Sequence, residues 1–468
     1  WKWTDIANEC ETVLGPAGFR AVQVSPPQEH SLEPPNYPWS ERYQPVSYSI
    51  DRSRSGTRAE FQGMVNRCRA VGVGIYVDAV INHMTNFPSP GVGSNGTAYT
   101  KYSYPGLYTQ SDFHTPCALN NYQSAANVQD CELFSLPDLN TGTVSVRQKI
   151  ADYLIMLARL GVDGFRIDAA KHIQQVELDD IIKRVNDVMT AEQRPLPYFF
   201  LEVIAAGGEA LAVRDYFGEG YASGGASDIT EFIFVGVGDK FRNVGNQRIW
   251  QLNPNGTPGN RFSEQAWGLM PTDKAVVFLQ NHDTQHQGGI SYRDGDVFRL
   301  ANVWMLAQPY GYPTVLSSYA FDYPTGNSMG PPSDGSGNTN NVTCAANIAT
   351  ATVGQWVCEH RDPHIARMVA FRRIVAGTEI QNWWDNGASA IAFSRGSKGF
   401  IAINRESTAL PATTIATSLP AGTYCDVLTG GRNGAQCVGT SVQIAANGSV
   451  QLALPAMTAI AIHLDTRL

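Results

Sequence analysis

The sequence predicts an α/β chain: a (β/α)8 barrel with a small inserted domain, followed by a C-terminal antiparallel β-sandwich domain. Three observations lead there. Short apolar runs end repeatedly on acids or histidines, as where residues 162–167 lead into Asp168. α/β barrels place their chemistry at the C-terminal ends of parallel strands, so such runs read as barrel strands delivering site residues. Between them lie stretches with apolar residues near i, i+3 and i+4, the spacing of amphipathic helices. After Gly377 the pattern changes to short alternating segments separated by turn residues, which reads as a separate antiparallel β-domain.

Taken in order, residues 6–14 look helical and 21–25 form a buried strand, ended by Pro26-Pro27 because Pro cannot donate to a ladder. The loop to Tyr48 holds Trp39, Arg42 and Tyr43, and exposed aromatics over a barrel mouth suit the apolar faces of sugar rings. Residues 57–70 form an amphipathic helix with Phe61, Met64, Val65 and Cys68 on its inward stripe. The strand 74–80 is followed by Asn82 and His83. Residues 84–137 are too long for a structureless loop and read as a small irregular domain. A helix over 146–160 precedes the strand that delivers Arg166 and Asp168, and the strand 198–203 delivers Glu202. Strands are expected over 229–234, over 275–280 (delivering Asn281, His282 and Asp283) and over 314–318, seven in all from Ala21. Residues 320–343 are dense in Gly, Pro, Ser and Asn and read as a surface excursion. A last helix spans 363–375. The β-domain strands are expected at 390–394, 399–404, 422–427, 441–444, 449–454 and 459–464. The resulting division is barrel over 1–83 and 138–378, insertion over 84–137 and β-domain over 379–468.

The chain has 468 residues, enough for a barrel of about 250 residues, insertions and a second domain. Its net charge of −8 is spread out, with no Lys/Arg run to suggest nucleic acid and no apolar stretch of the ~20 residues a membrane span needs. Eight cysteines allow about 105 pairings. No Cys-x-x-Cys occurs, which favours disulfides in an oxidising compartment over a metal site.

Four stretches, in order, resemble the four motif regions of the α-amylase family, glycoside hydrolase family 13. They are Tyr76-Val77-Asp78-Ala79-Val80-Ile81-Asn82-His83, Gly164-Phe165-Arg166-Ile167-Asp168-Ala169-Ala170-Lys171-His172, Phe199-Phe200-Leu201-Glu202-Val203-Ile204 and Val276-Val277-Phe278-Leu279-Gln280-Asn281-His282-Asp283. Flanking text such as Val22-Gln23-Val24-Ser25-Pro26-Pro27 and Trp356-Val357-Cys358-Glu359-His360-Arg361 is similar to animal-type α-amylases and their bacterial relatives. The resemblance covers nearly the whole chain.

The resemblance implies a secreted, monomeric α-amylase that cleaves internal α-1,4 bonds of starch, glycogen and malto-oligosaccharides with retention. Asp168 would be the nucleophile, Glu202 the acid/base, and Asp283 the carboxylate that holds sugar hydroxyls and distorts the ring. Adjacent strands lie about 4.7–4.9 Å apart, so two carboxylates on neighbouring strand ends can meet the about 5–5.5 Å a retaining pair needs. His83 and His282 would donate to the sugar, Arg166 would hold the nucleophile ionised, and Trp39 and Tyr43 would line the cleft. Tyr122, Lys171, His172 and Glu209 match positions on the leaving side. Two departures stand out. Ser40 replaces a second Trp, and Thr284-Gln285-His286-Gln287-Gly288-Gly289 lacks the Gly-His-Gly run of the family's flexible loop.

The resemblance further implies a structural Ca²⁺ held by Asn82, Asp138 and the carbonyls of Gln129 and His172. Oxygen ligands from both sides of an insertion suit that hard cation. It pairs Cys10 with Cys68, Cys117 with Cys131, Cys344 with Cys358 and Cys425 with Cys437. It places a further barrel strand immediately upstream of Trp1, so that either the sequence is a trimmed copy or the barrel has a gap. A chloride site in the family uses an Arg, an Asn and a basic residue on the eighth strand. Arg166 and Asn281 match the first two, Thr314 stands at the third, and activity is expected not to require chloride. Rival readings are a transglycosylase, which usually carries extra β-domains, and a non-catalytic glucan-binding relative, which tends to lose the acids retained here.

Overall fold

A computed structural model describes residues 1–217, 227–257 and 259–468. The chain forms two compact units, Trp1–Thr230 with Gly326–Thr343, and Glu231–Thr325 with Cys344–Leu468. Among the described residues seven parallel strands follow one another in sequence order, five in the first unit and two in the second.

In the first unit β1 (Ala21–Val24), β2 (Gly74–Ala79), β3 (Gly164–Ile167), β4 (Tyr198–Leu201) and β5 (Asp228–Thr230) pair in parallel. Helices α1 (Trp3–Glu9), α2 (Arg58–Ala70), α3 (Val144–Leu160) and α4 (Gln175–Ala191) connect or flank them. Helix α2 starts on a capping box, with Thr57 and Glu60 each bonding the other's backbone N–H, a feature worth about 1 kcal/mol. Its stripe of Phe61, Met64, Val65 and Cys68 is buried, as the spacing predicts, and Cys10–Cys68 ties it to the first helical stretch. The other three disulfides also form as the resemblance implies. Gly164 opens β3 because a Cβ there would lie 2.6 Å from the Tyr198 carbonyl oxygen.

In the second unit β6 (Ala275–Val277) and β7 (Tyr312–Pro313) pair in parallel, and α5 (Asp296–Ala307) and α6 (Pro363–Ile374) follow them. The last three expected barrel strands are placed differently or cut short. Counted with the strand expected upstream of Trp1, the sixth (β5) ends at Thr230, not at 234. The Glu231 carboxylate accepts from the N–H groups of Ile233 and Met270 at 3.1 and 2.9 Å, starting a 3-10 helix over Phe232–Gly236. The eighth ladder is Tyr312–Pro313, not 314–318. Pro313 lacks a donor, and after Thr314 N–H bonds the Val277 carbonyl at 2.8 Å the backbone leaves the ladder. The seventh is likewise shorter than 275–280.

The C-terminal region is a β-sandwich. One sheet has the order β8 (Ile380–Asp385), β9 (Ala390–Arg395), β10 (Gly399–Asn404), β15 (Thr458–His463). The other has the order β11 (Leu410–Ala416), β14 (Ser449–Leu454), β13 (Ser441–Ile444), β12 (Gly422–Cys425). Phe400, Ile415, Tyr424, Val450 and Ile462 belong to the core between them. β8 and β11 are absent from the sequence reading. Both shift register against their partners, and Asn382 in β8 has φ 51°, so their alternation is broken.

Candidate active site

Parallel pairing brings the C-terminal ends of β2, β3 and β4 to one edge, and Arg166 gathers what they carry. It is buried on β3, in register with Asp78 on β2. Its Nη1 donates to Asp78 Oδ1 at 2.6 Å and to Asp168 Oδ1 at 2.8 Å, and its Nη2 pairs with Glu202 Oε1 at 2.5 Å. The other Glu202 oxygen accepts from Ala169 N–H at 2.8 Å. Ala169 has φ 50°, a left-handed conformation that costs a non-glycine residue on the order of 1–3 kcal/mol and often marks a functional site. Asp78 Oδ2 in turn accepts from Tyr43 Oη at 2.9 Å and from Gln23 Nε2 at 3.4 Å. The network therefore crosses four neighbouring strands.

Three buried carboxylates thus meet one guanidinium. Burial and the Glu202 charge push Asp168 well above the usual carboxylate range, and Arg166 opposes them. The Asp168–Glu202 pair holds a proton more firmly than two isolated carboxylates would. His83 is buried and kept neutral, its pKa lowered by burial to about 4. Its Nε2–H donates to the Tyr43 carbonyl at 3.0 Å and its Nδ1 faces Asn82 Nδ2 at 3.4 Å, so donation to a sugar requires exchange of the Tyr43 contact.

Three of the residues expected on the leaving side, Tyr122, Lys171 and Glu209, come together. Lys171 Nζ donates to the Ile204 carbonyl at 2.7 Å, pairs with Glu209 and lies 4.8 Å over the Tyr122 ring. His172 is buried, and its Nδ1–H donates to the Val128 carbonyl at 2.9 Å. Trp39 and Tyr43 share one 3-10 turn with ring centroids 6.0 Å apart.

In the second unit Asn281 Oδ1 accepts from the N–H groups of Asp283 and Thr284 at 3.0 and 2.8 Å, which shapes the turn after β6. His282 Nε2 lies 3.4 Å from Asp283 Oδ2. Where the family has its Gly-rich loop, Thr284–His286 is a buried 3-10 helix whose His286 ring stacks 4.4 Å from Phe321.

Two side chains went unassigned in the sequence reading. Asp78 stood inside a quoted motif, but its partner appears only with the strand register. Tyr216 donates to the Lys171 carbonyl at 2.6 Å and accepts from Gln129 Nε2 at 3.1 Å, a contact that no local pattern signals.

The residues expected to hold calcium fit an oxygen-seeking cation. Asn82 Nδ2 donates to Asp138 Oδ1 at 3.2 Å, and turning that amide would present its oxygen instead. His114 bridges Asp138, at 2.7 Å, to Asp130, at 3.9 Å, and the His172–Val128 bond brings residue 172 beside 128–129. Burial raises the Asp138 carboxyl to about 7, opposed by His114. Among the described residues no group of three His, Cys, Asp or Glu side chains could hold a metal ion. A site here would rest on one carboxylate, one amide and main-chain carbonyls.

Paired carboxylates at neighbouring ends of parallel strands suit the chemistry of a barrel glycoside hydrolase. The family model described as alpha amylase, catalytic domain, matches residues 38–201, and that described as alpha amylase, C-terminal all-beta domain, matches residues 381–465. The chain is 42% identical to an alpha-amylase of Tenebrio molitor, covering 100% of this chain and 96% of that protein. It is 43% identical to an alpha-amylase of Streptomyces violaceus, covering 99% and 73%. A crystal structure of alpha-amylase I from Eisenia fetida, a variant in complex with maltohexaose, superposes with a TM-score of 0.89 at 35% identity, covering 99% of this chain and 95% of that one. The chain belongs to the α-amylase family of glycoside hydrolases.

Proposed function

We propose that this enzyme hydrolyses internal α-1,4-glucosidic bonds of starch, glycogen and malto-oligosaccharides with retention. The observation that carries the reading is the sharing of Arg166 by Asp168 and Glu202, which suits the short separation of a retaining pair, about 5–5.5 Å. The Asp168 carboxylate attacks the anomeric carbon while Glu202 gives its proton to the departing glycosidic oxygen. Glu202, now ionised, takes a proton from water. That water attacks the anomeric carbon and frees Asp168. Arg166 orients both carboxylates and offsets their charge. Asp283 and His282 hold sugar hydroxyls, and Lys171 and Glu209, packed against Tyr122, hold the leaving side. The maltohexaose bound by the Eisenia fetida variant supports an oligosaccharide substrate.

Calcium, bound by Asn82, Asp138 and the carbonyls of Gln129 and His172, would hold the insertion against the barrel strands and takes no part in bond cleavage. Four disulfides support an oxidising, extracellular setting.

Asp168→Asn and Glu202→Gln test the assignment. Each should lower kcat on soluble starch by about 1,000-fold or more with the melting temperature little changed, and the wild type should release α-anomeric ends. A variant keeping more than about a tenth of wild-type kcat would remove that residue from its role.

A further inference from the structure

We propose that Glu359 is a positioning residue for the turn that carries His282 and Asp283. The proposal rests on the reading of Asp283 as a carboxylate that holds the sugar. Glu359 is fully buried, and nothing in the chemistry above uses it. Its Oε1 accepts from Gln280 Nε2 at 3.0 Å and from Ser318 Oγ, and its Oε2 accepts from Ser318 N–H at 2.8 Å. One carboxylate thus grips the chain just before Asn281 and the chain that leaves β7.

Gln280 is itself buried, and its Oε1 has no hydrogen-bond partner among the described residues. Glu359 therefore supplies the hydrogen bond that orients this amide. The turn beyond it is tied to itself. Asn281 Oδ1 caps Asp283 and Thr284, Asn281 N–H donates to Thr284 Oγ1 at 2.9 Å, and His286 N–H donates to the Asp283 carbonyl at 2.9 Å. A turn closed in this way moves as one body, so its aim is set by the residue it hangs from.

Glu359 is aimed in its turn. Cys358 has φ 59°, a left-handed residue that swings the chain inward, and it is held by the disulfide to Cys344 and by the bond from Val357 N–H to the Ser318 carbonyl at 2.8 Å. Three donors converge on a carboxylate, which can accept from all of them. An amide at 359 has one acceptor oxygen and would place an NH₂ group among those donors, leaving at least one without an acceptor.

The test measures kcat and KM on a malto-oligosaccharide of fixed length, well below each variant's melting temperature. The variants are Glu359→Gln, Gln280→Leu, Asp283→Asn and the double variant Glu359→Gln/Asp283→Asn. Glu359→Gln and Gln280→Leu should each lower kcat about 10–100-fold and move KM less than about 3-fold. Adding Glu359→Gln to Asp283→Asn should cost little more, because both act through one carboxylate. A Glu359→Gln enzyme within about 2-fold of wild-type kcat, or a loss that multiplies in full onto Asp283→Asn, overturns the proposal. Should Glu359→Gln fail to fold, Gln280→Leu decides alone, and wild-type kcat there overturns it. Wild-type activity in Asp283→Asn is a separate outcome. It would remove the role of Asp283 itself, and the proposal with it.

Discussion

Arg166 decides what the carboxylates around it can do. Two of its partners, Asp168 and Glu202, are legible in the sequence because each closes an apolar run within a recognisable motif. The third, Asp78, sits in mid-strand like any buried acid, and only the register that sets it opposite Arg166 reveals its part. Its negative charge adds to what raises the Asp168 pKa. Neutralising it should therefore lower the apparent pKa of the Asp168–Glu202 pair. We expect Asp78→Asn to move the acid limb of the kcat/KM profile to lower pH, measured on a short malto-oligosaccharide. A limb that stays in place or moves up would show that Asp78 does not tune the pair.

At the scale of elements, β1 was readable because Pro26-Pro27 ends its apolar run, and β2 to β4 because theirs end at or near charged or polar site residues. The sixth strand misled because the apolar residues 232–235 continue the pattern, whereas the Glu231 side chain captures the backbone and bends it into a 3-10 helix. The eighth misled because its ladder is over before the predicted start: the last bond to β6 is from Thr314 N–H to the Val277 carbonyl, which the Thr314 hydroxyl also approaches. In both cases a tertiary contact or a missing donor overrides local propensity, and neither can be read from a window of a few residues. The proposed calcium site would depend on the same long-range placement, with ligands from before, within and after the 84–137 insertion. Removing the metal with excess EDTA should lower the melting temperature and the activity together, and added Ca²⁺ should restore both, because a ligand bound only by the folded state stabilises it by mass action. Asp138→Ala should be less stable at the outset and give a much smaller response. A wild-type enzyme indifferent to EDTA would place the metal elsewhere or nowhere.

Across the whole molecule, the change from barrel to β-sandwich was plain from the switch in periodicity after Gly377, and the disulfides stand as the resemblance pairs them. Three close loops of about 15 residues, for which chain entropy alone gives about 3 kcal/mol each. Cys10–Cys68 spans 58 residues and should give about 4. What composition and periodicity could not supply was chemistry. Two acids at strand ends become a catalytic pair only when one guanidinium holds both. That claim is most directly tested by trapping the covalent intermediate. Glu202→Gln would be incubated with a fluorinated maltosyl fluoride whose good leaving group needs no acid, then digested and mapped by mass spectrometry. The expected result is one added maltosyl unit on the peptide that contains Asp168, absent in Asp168→Asn/Glu202→Gln. A label on any other residue, or release of β-anomeric product with no adduct, would contradict it.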